Sequence, residues 1–110
     1  MEISQEIRDI AEVIRQAVPA EQIYLFGSYA YGEPNEHSDY DFYVVIPDDS
    51  MRSMEAMQRA QVALLALRNI PAVDVLARHK SKFEQMREWK STVDQDVAMK
   101  GVLLYERAAA

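Results

Sequence analysis

The sequence predicts an α/β chain, α+β in detail, with helices packed on a small mixed sheet. Three observations carry this. An amphipathic helical pattern opens the chain. Two short, nearly all-apolar runs at 22–26 and 40–46 have strand length. Helical and strand-like stretches then alternate to the end in the order α-β-α-β-α-β-α-β. At 110 residues, one domain over 1–110 is the expectation. An apolar share of 49% is enough for a real core.

Residues 3–18 read as the first helix, because Ile3, Ile7, Ile10, Ile14, Ala17 and Val18 recur at helical spacing among charged residues. Pro19 stops it. The run QIYLF at 22–26 is a strand covered on both faces. Gly27 follows, and Ser28 is expected to cap a short helix reaching about Tyr31. Gly32 and Pro34 end that helix, and EPNEHS is a polar loop. The second strand is YDFYVVI at 40–46, with Tyr40, Phe42, Val44 and Ile46 on one face and Asp41, Tyr43 and Val45 on the other. Pro47 stops it. Asp48, Asp49 and Ser50 are cap candidates for a helix at about 51–68, in which Met54, Met57, Val62, Leu64, Leu65 and Leu67 are the apolar positions. Its methionines are read as adaptable core. After Pro71 comes a third strand, AVDVLA, with Ala72, Asp74 and Leu76 on one face. Residues 81–100 read as a last helical stretch, with Ser81 as its cap, Phe83, Met86, Trp89, Val93 and Val97 at helical spacing, a break near Lys90-Ser91 and Gly101 as its stop. VLLY at 102–105 is a short final strand.

Composition excludes several functions. The chain has no cysteine, which removes disulfides, thiolate metal sites and a cysteine nucleophile, and fits a reducing cytoplasm. Its two histidines, His37 and His79, lack metal-ligand spacing. No apolar run approaches the ~20 residues of a membrane span, and the charged, periodic N-terminus does not resemble a leader. The net charge of −6 argues against a duplex nucleic-acid partner, which would need a cationic face.

The remaining chemistry is acidic. Asp39 and Asp41 are two residues apart at the opening of the second strand, so they share a face about 7 Å apart along the chain. Asp74 lies on the following strand, where a lone acid among apolar residues is costly unless it is paired, exposed or on a metal. Arg68 and Arg78 are the candidate ion-pair partners. Taken singly, a D-x-D is most often a turn acid or a solvated edge. Taken together, three carboxylates on neighbouring strands suit two Mg²⁺ ions bridged about 3.5–4 Å apart in phosphoryl transfer. Gly27 lacks the Cβ that would keep a phosphate from the backbone, and Ser28 adds a hydroxyl.

Gly27-Ser28, ten residues, then Asp39-x-Asp41 resembles the G-S-x10-D-x-D signature of the DNA polymerase β-like nucleotidyltransferase superfamily. Ala30, Gly32 and Ser38 also fit its usual pattern, and chain length and the position of Asp74 resemble the minimal nucleotidyltransferases (MNT), the antitoxin partners of HEPN-domain toxins. The resemblance implies the polymerase β-like fold, Mg²⁺ on Asp39 and Asp41, ATP as the nucleotide, Gly27 and Ser28 at the phosphates, and Asp74 as third carboxylate and activator of the acceptor hydroxyl. It implies a hetero-oligomer with a HEPN-domain toxin whose tyrosine is AMPylated. Many relatives carry Arg or Lys where this chain has Tyr31; an aromatic there packs or stacks instead.

Two further readings compete. The chain is a catalytically degenerate module that neutralises its partner by stoichiometric contact, or it modifies a small molecule such as an aminoglycoside. Enzymes of the latter kind usually carry an additional acceptor-binding domain.

Overall fold

The computed structural model describes residues 3–34 and 39–108. In chain order it contains α1 (Gln5–Ala17), β1 (Gln22–Phe26), α2 (Ser28–Tyr31), β2 (Tyr40–Ile46), α3 (Ser53–Leu64), β3 (Val73–His79), α4 (Lys80–Met86), α5 (Val93–Lys100) and β4 (Val102–Glu106). The strands form one mixed sheet in the order β3-β2-β1-β4. β1 is antiparallel to β2 and to β4, whereas β2 and β3 run parallel. A parallel pair needs a crossover, and α3 supplies it between β2 and β3.

Side chains alternate across the sheet, so each face gathers its own helices. On the first face Ile23, Leu25, Phe42, Val44 and Ile46 meet Ile7, Ile10 and Ile14 of α1 and Ala56, Ala60 and Leu64 of α3. On the second face Tyr24, Tyr43 and Val45 meet Phe83 of α4 and Val97 of α5. The apolar character of β1 and β2 follows directly: both are central strands covered on two sides. Among the described residues no helix is long and apolar enough to cross a membrane.

The helix ends differ from the sequence reading in instructive ways. The first helix is capped by Ser4, whose hydroxyl accepts from the Ile7 N–H at 3.2 Å. None of Asp48, Asp49 and Ser50 caps α3; Arg52 holds its N-cap position without a side-chain bond. The Asp48 carboxylate instead accepts from the Ser81 N–H at 3.0 Å, capping α4 from a distant loop. Ser81 therefore lies inside α4, with His79 at the cap position. The expected last helix is two helices. Ser91 takes φ 65°, and Thr92 opens α5 by accepting from the Gln95 N–H at 3.0 Å. Trp89 lies in the connecting turn and is exposed.

The methionines of the third helix also divide. Met57 packs on the core, but Met54 is 61% exposed, and Val62 and Leu65 are more exposed still. Helical spacing marks a stripe, and here the stripe is wider than the face the sheet covers.

Candidate active site

The sheet register assembles the acidic residues. Asp41 lies opposite Phe26 of β1 and, on its other side, opposite Asp74 of β3. Neighbouring strands are about 4.8 Å apart, and residues in register point to the same face, so Asp41 and Asp74 stand side by side on the second face. Asp39 immediately precedes β2 and is exposed; Asp74 is exposed and Asp41 half-buried. Partial burial, followed by the negative charges of Asp74 and Asp39, pushes the Asp41 carboxyl above its usual value. Asp41 is thus close enough to both neighbours to feel their charge. Neither Arg68 nor Arg78 neutralises Asp74 among the described residues; Arg78 pairs with Asp94.

Gly27 ties the first strand to this group. Its backbone sits at φ 76°, ψ −157°, a region essentially confined to glycine. A Cβ there would lie 2.2 Å from the Asp41 Oδ2, so the Asp41 carboxylate occupies the space that any side chain at 27 would need. The expected cap role of Ser28 needs correction: Gly27 holds the N-cap position of α2, no side chain caps it, and Ser28 is the first helical residue. The single turn of α2 is closed by the Ala30 and Tyr31 N–H groups donating to the Gly27 carbonyl at 3.0 and 3.1 Å. Ser38 and His37 lie outside the described residues.

The donor set suits a hard divalent cation. Asp39, Asp41 and Asp74 offer only oxygen, the ligand type that Mg²⁺ prefers, and the mutual repulsion at Asp41 is relieved by positive charge. His79 is committed elsewhere, with Nε2 2.7 Å from the Met51 carbonyl. Among the described residues no three carboxylate or imidazole groups converge as a finished metal cage. Bound phosphate oxygens and waters are normal partners of Mg²⁺, so carboxylates alone need not complete its shell. A cavity of about 740 Å³ lies at the other end of the same face, among Glu21, Gln22, Phe83, Arg87 and Arg107. The acidic group instead lies at the end of the sheet where β1 finishes and β2 begins.

Sequence reasoning missed a buried polar cluster on the same face of the sheet. Asp94 of α5 is 1% exposed. It accepts from Arg78 Nε at 2.9 Å, from Arg78 Nη2 at 3.3 Å, and from the Tyr43 hydroxyl. Burial, then the hydrogen bond to Asp94, raises the Tyr43 phenol well above its usual range. The available signal was an acid one position from Val93 and three from Val97, on a helix that has to bury those valines.

Comparison with known proteins agrees with the fold. The family described as "Polymerase beta, Nucleotidyltransferase" matches residues 8–110. A solved toxin–antitoxin structure with AMP-PNP is 25% identical, covers 94% of this chain and 75% of its own, and superposes with a TM-score of 0.60. A mutant of the toxin–antitoxin MntA–HpeT is 26% identical over 96% of this chain and 75% of its own, with a TM-score of 0.61. No curated protein matches the chain. The fold is therefore shared with these solved structures, and with the family match running over residues 8–110 the chain belongs to the polymerase β nucleotidyltransferase family.

Proposed function

We propose that residues 1–110 form a single Mg²⁺-dependent nucleotidyltransferase unit that moves AMP from ATP to a tyrosine hydroxyl of a HEPN-type RNase toxin, and so acts as its antitoxin in the cytoplasm. The observation that carries the reading is the register placing Asp74 beside Asp41, with the Gly27 backbone against the Asp41 carboxylate. The likeness to toxin–antitoxin structures, one of them with AMP-PNP, supports the choice of nucleotide and of partner class.

In this reading Asp39 and Asp41 hold the divalent cation, with Asp74 as a third ligand. When bound, the metal ions neutralise the triphosphate and lower the pKa of the attacking hydroxyl. Gly27 and Ser28 present backbone N–H groups and a hydroxyl to the phosphates. Asp74, exposed at the edge strand, is open to the acceptor. It receives the proton of the tyrosine hydroxyl as that oxygen bonds to the α-phosphorus. The bond from the α-phosphorus to the bridging oxygen breaks, and pyrophosphate leaves with its electron pair.

The test is transfer of label from α-labelled ATP to the co-purified partner, with Mg²⁺ and then with chelator. Labelling of a partner tyrosine that needs Mg²⁺ and disappears in the double variant Asp39→Asn/Asp41→Asn is the expected result. An unlabelled partner, neutralised equally well by that double variant, would replace this reading with the stoichiometric binding module.

A further inference from the structure

Helix α5 brings a cation to the border of the acidic site. Lys100 is the last residue of α5, and its amine lies 5.8 Å from the centre of the Tyr31 ring, within cation–π range. Tyr31 closes α2, one turn after Gly27, and is 40% exposed. The position of Lys100 is fixed from both sides. Upstream, Val97 and Asp94 are fully buried against the second face, and Asp94 is tied to Arg78 and Tyr43. Downstream, Val102 pairs with Leu25 in the antiparallel β1–β4 ladder, which brings residue 100 to about the level of Gly27. Asp41 flanks the end of the same strand from its other edge, opposite Phe26. The Gly27 turn thus runs between a carboxylate group on the β2 side and an amine on the β4 side.

None of the ion pairs among the described residues includes Lys100. A lysine that ends a helix commonly does no more than complement the helix dipole, and one lying on an aromatic ring often merely packs. Neither role needs it beside the turn that abuts the Asp41 carboxylate. A polyphosphate approaching those carboxylates meets like charge, and a lysine is a compact, flexible point charge suited to phosphate oxygens. An exposed ring holds the amine weakly enough to release it to a stronger anion.

We propose that Lys100, seated on the Tyr31 ring, is the phosphate-contacting cation of this site, and that it selects nucleoside triphosphates over monophosphates by binding the polyphosphate tail. The proposal rests on the nucleotidyltransferase reading above and adds a residue to it from a different element.

The experiment is calorimetric titration of ATP and of AMP in Mg²⁺ into wild type, Lys100→Met, Lys100→Arg and Asp41→Asn, with circular dichroism to confirm folding. Loss of one charge-assisted contact predicts that Lys100→Met binds ATP roughly ten- to a hundredfold more weakly. Its AMP affinity stays unchanged, and Lys100→Arg recovers most of the ATP affinity. ATP binding that needs Asp41 but is the same in wild type and Lys100→Met overturns the Lys100 role and leaves the nucleotide site standing. Equal weakening for ATP and AMP overturns it as well, because a packing role and not a phosphate contact gives that pattern. A wild type that binds neither nucleotide removes the nucleotide reading itself, and this proposal with it.

Discussion

The two faces of the sheet solve different problems. The first is apolar: isoleucines of α1 and Ala56, Ala60 and Leu64 of α3 close over Ile23, Leu25, Phe42, Val44 and Ile46. The second is mixed. Its apolar patch of Tyr24, Tyr43, Val45, Phe83 and Val97 is small, it encloses the ionic Asp94, and it gives way to repelling carboxylates at one end. Stability is concentrated on one side and chemistry on the other. Sites that hold like charges together cost stability, and the fold supports them elsewhere.

The comparison can be broken most strongly from the first face. Phe42 is fully buried there, and Phe42→Ala should lower unfolding free energy by about 3–5 kcal/mol in urea titration. Whatever fraction stays folded should bind nucleotide with unchanged affinity.

On the second face, Asp94→Ala removes the buried partner of Arg78 and Tyr43, and should cost about 3 kcal/mol by the same measurement. Here nucleotide binding should suffer too, because α5 carries Lys100. Tyr43→Phe leaves the ion pair intact and should cost only about 1 kcal/mol. If Asp94→Ala were as mild as Tyr43→Phe, the claim that this cluster fixes α5 would be wrong.

Gly27→Ala forces a side chain into a glycine-only conformation, worth about 1–3 kcal/mol, and into the Asp41 carboxylate. Nucleotide transfer should vanish while most of the protein stays folded, a separation that thermal melting alongside the labelling assay would show.

The smallest effect has the opposite sign. The Asp41 carboxyl has a raised proton affinity in the folded chain, first through burial and then through Asp74 and Asp39. Its favourable contribution is therefore full below the ordinary carboxylate pKa and is lost as pH rises through the raised value. At neutral pH the ionised group weighs against folding. Metal-free Asp41→Asn should melt slightly higher than wild type at pH 7, and the difference should shrink on acidification below the ordinary carboxylate range. Mg²⁺ should raise the wild-type melting temperature and leave that of the variant nearly unchanged.

Much of this architecture was legible because its signals are local. The runs 22–26 and 40–46 are the observed β1 and β2, since continuous apolar stretches between a glycine or proline and polar loops leave little choice. The break after α4 was visible near Ser91, and Gly101 ends α5 as read. Asp74 was singled out as an unexplained acid, and the register brings it beside Asp41. What escaped were contacts between residues distant in sequence. Asp48 resembles a cap for the helix that follows it, yet it serves α4, a partnership that only the β2–β3 pairing creates. Arg78 was a candidate partner of Asp74, and the packing of α5 gives it to Asp94 instead. The contact between Gly27 and Asp41 and the seat of Lys100 on Tyr31 likewise exist only once β1 lies between β2 and β4.

The most direct test of the central claim is the heat of ATP binding with and without Mg²⁺, for wild type and Asp41→Asn. The account predicts saturable binding by wild type that requires Mg²⁺ and is lost in Asp41→Asn. Binding that ignores both the metal and the substitution would contradict it, because the nucleotide would then lie away from the carboxylates that the β2–β3 register brings together.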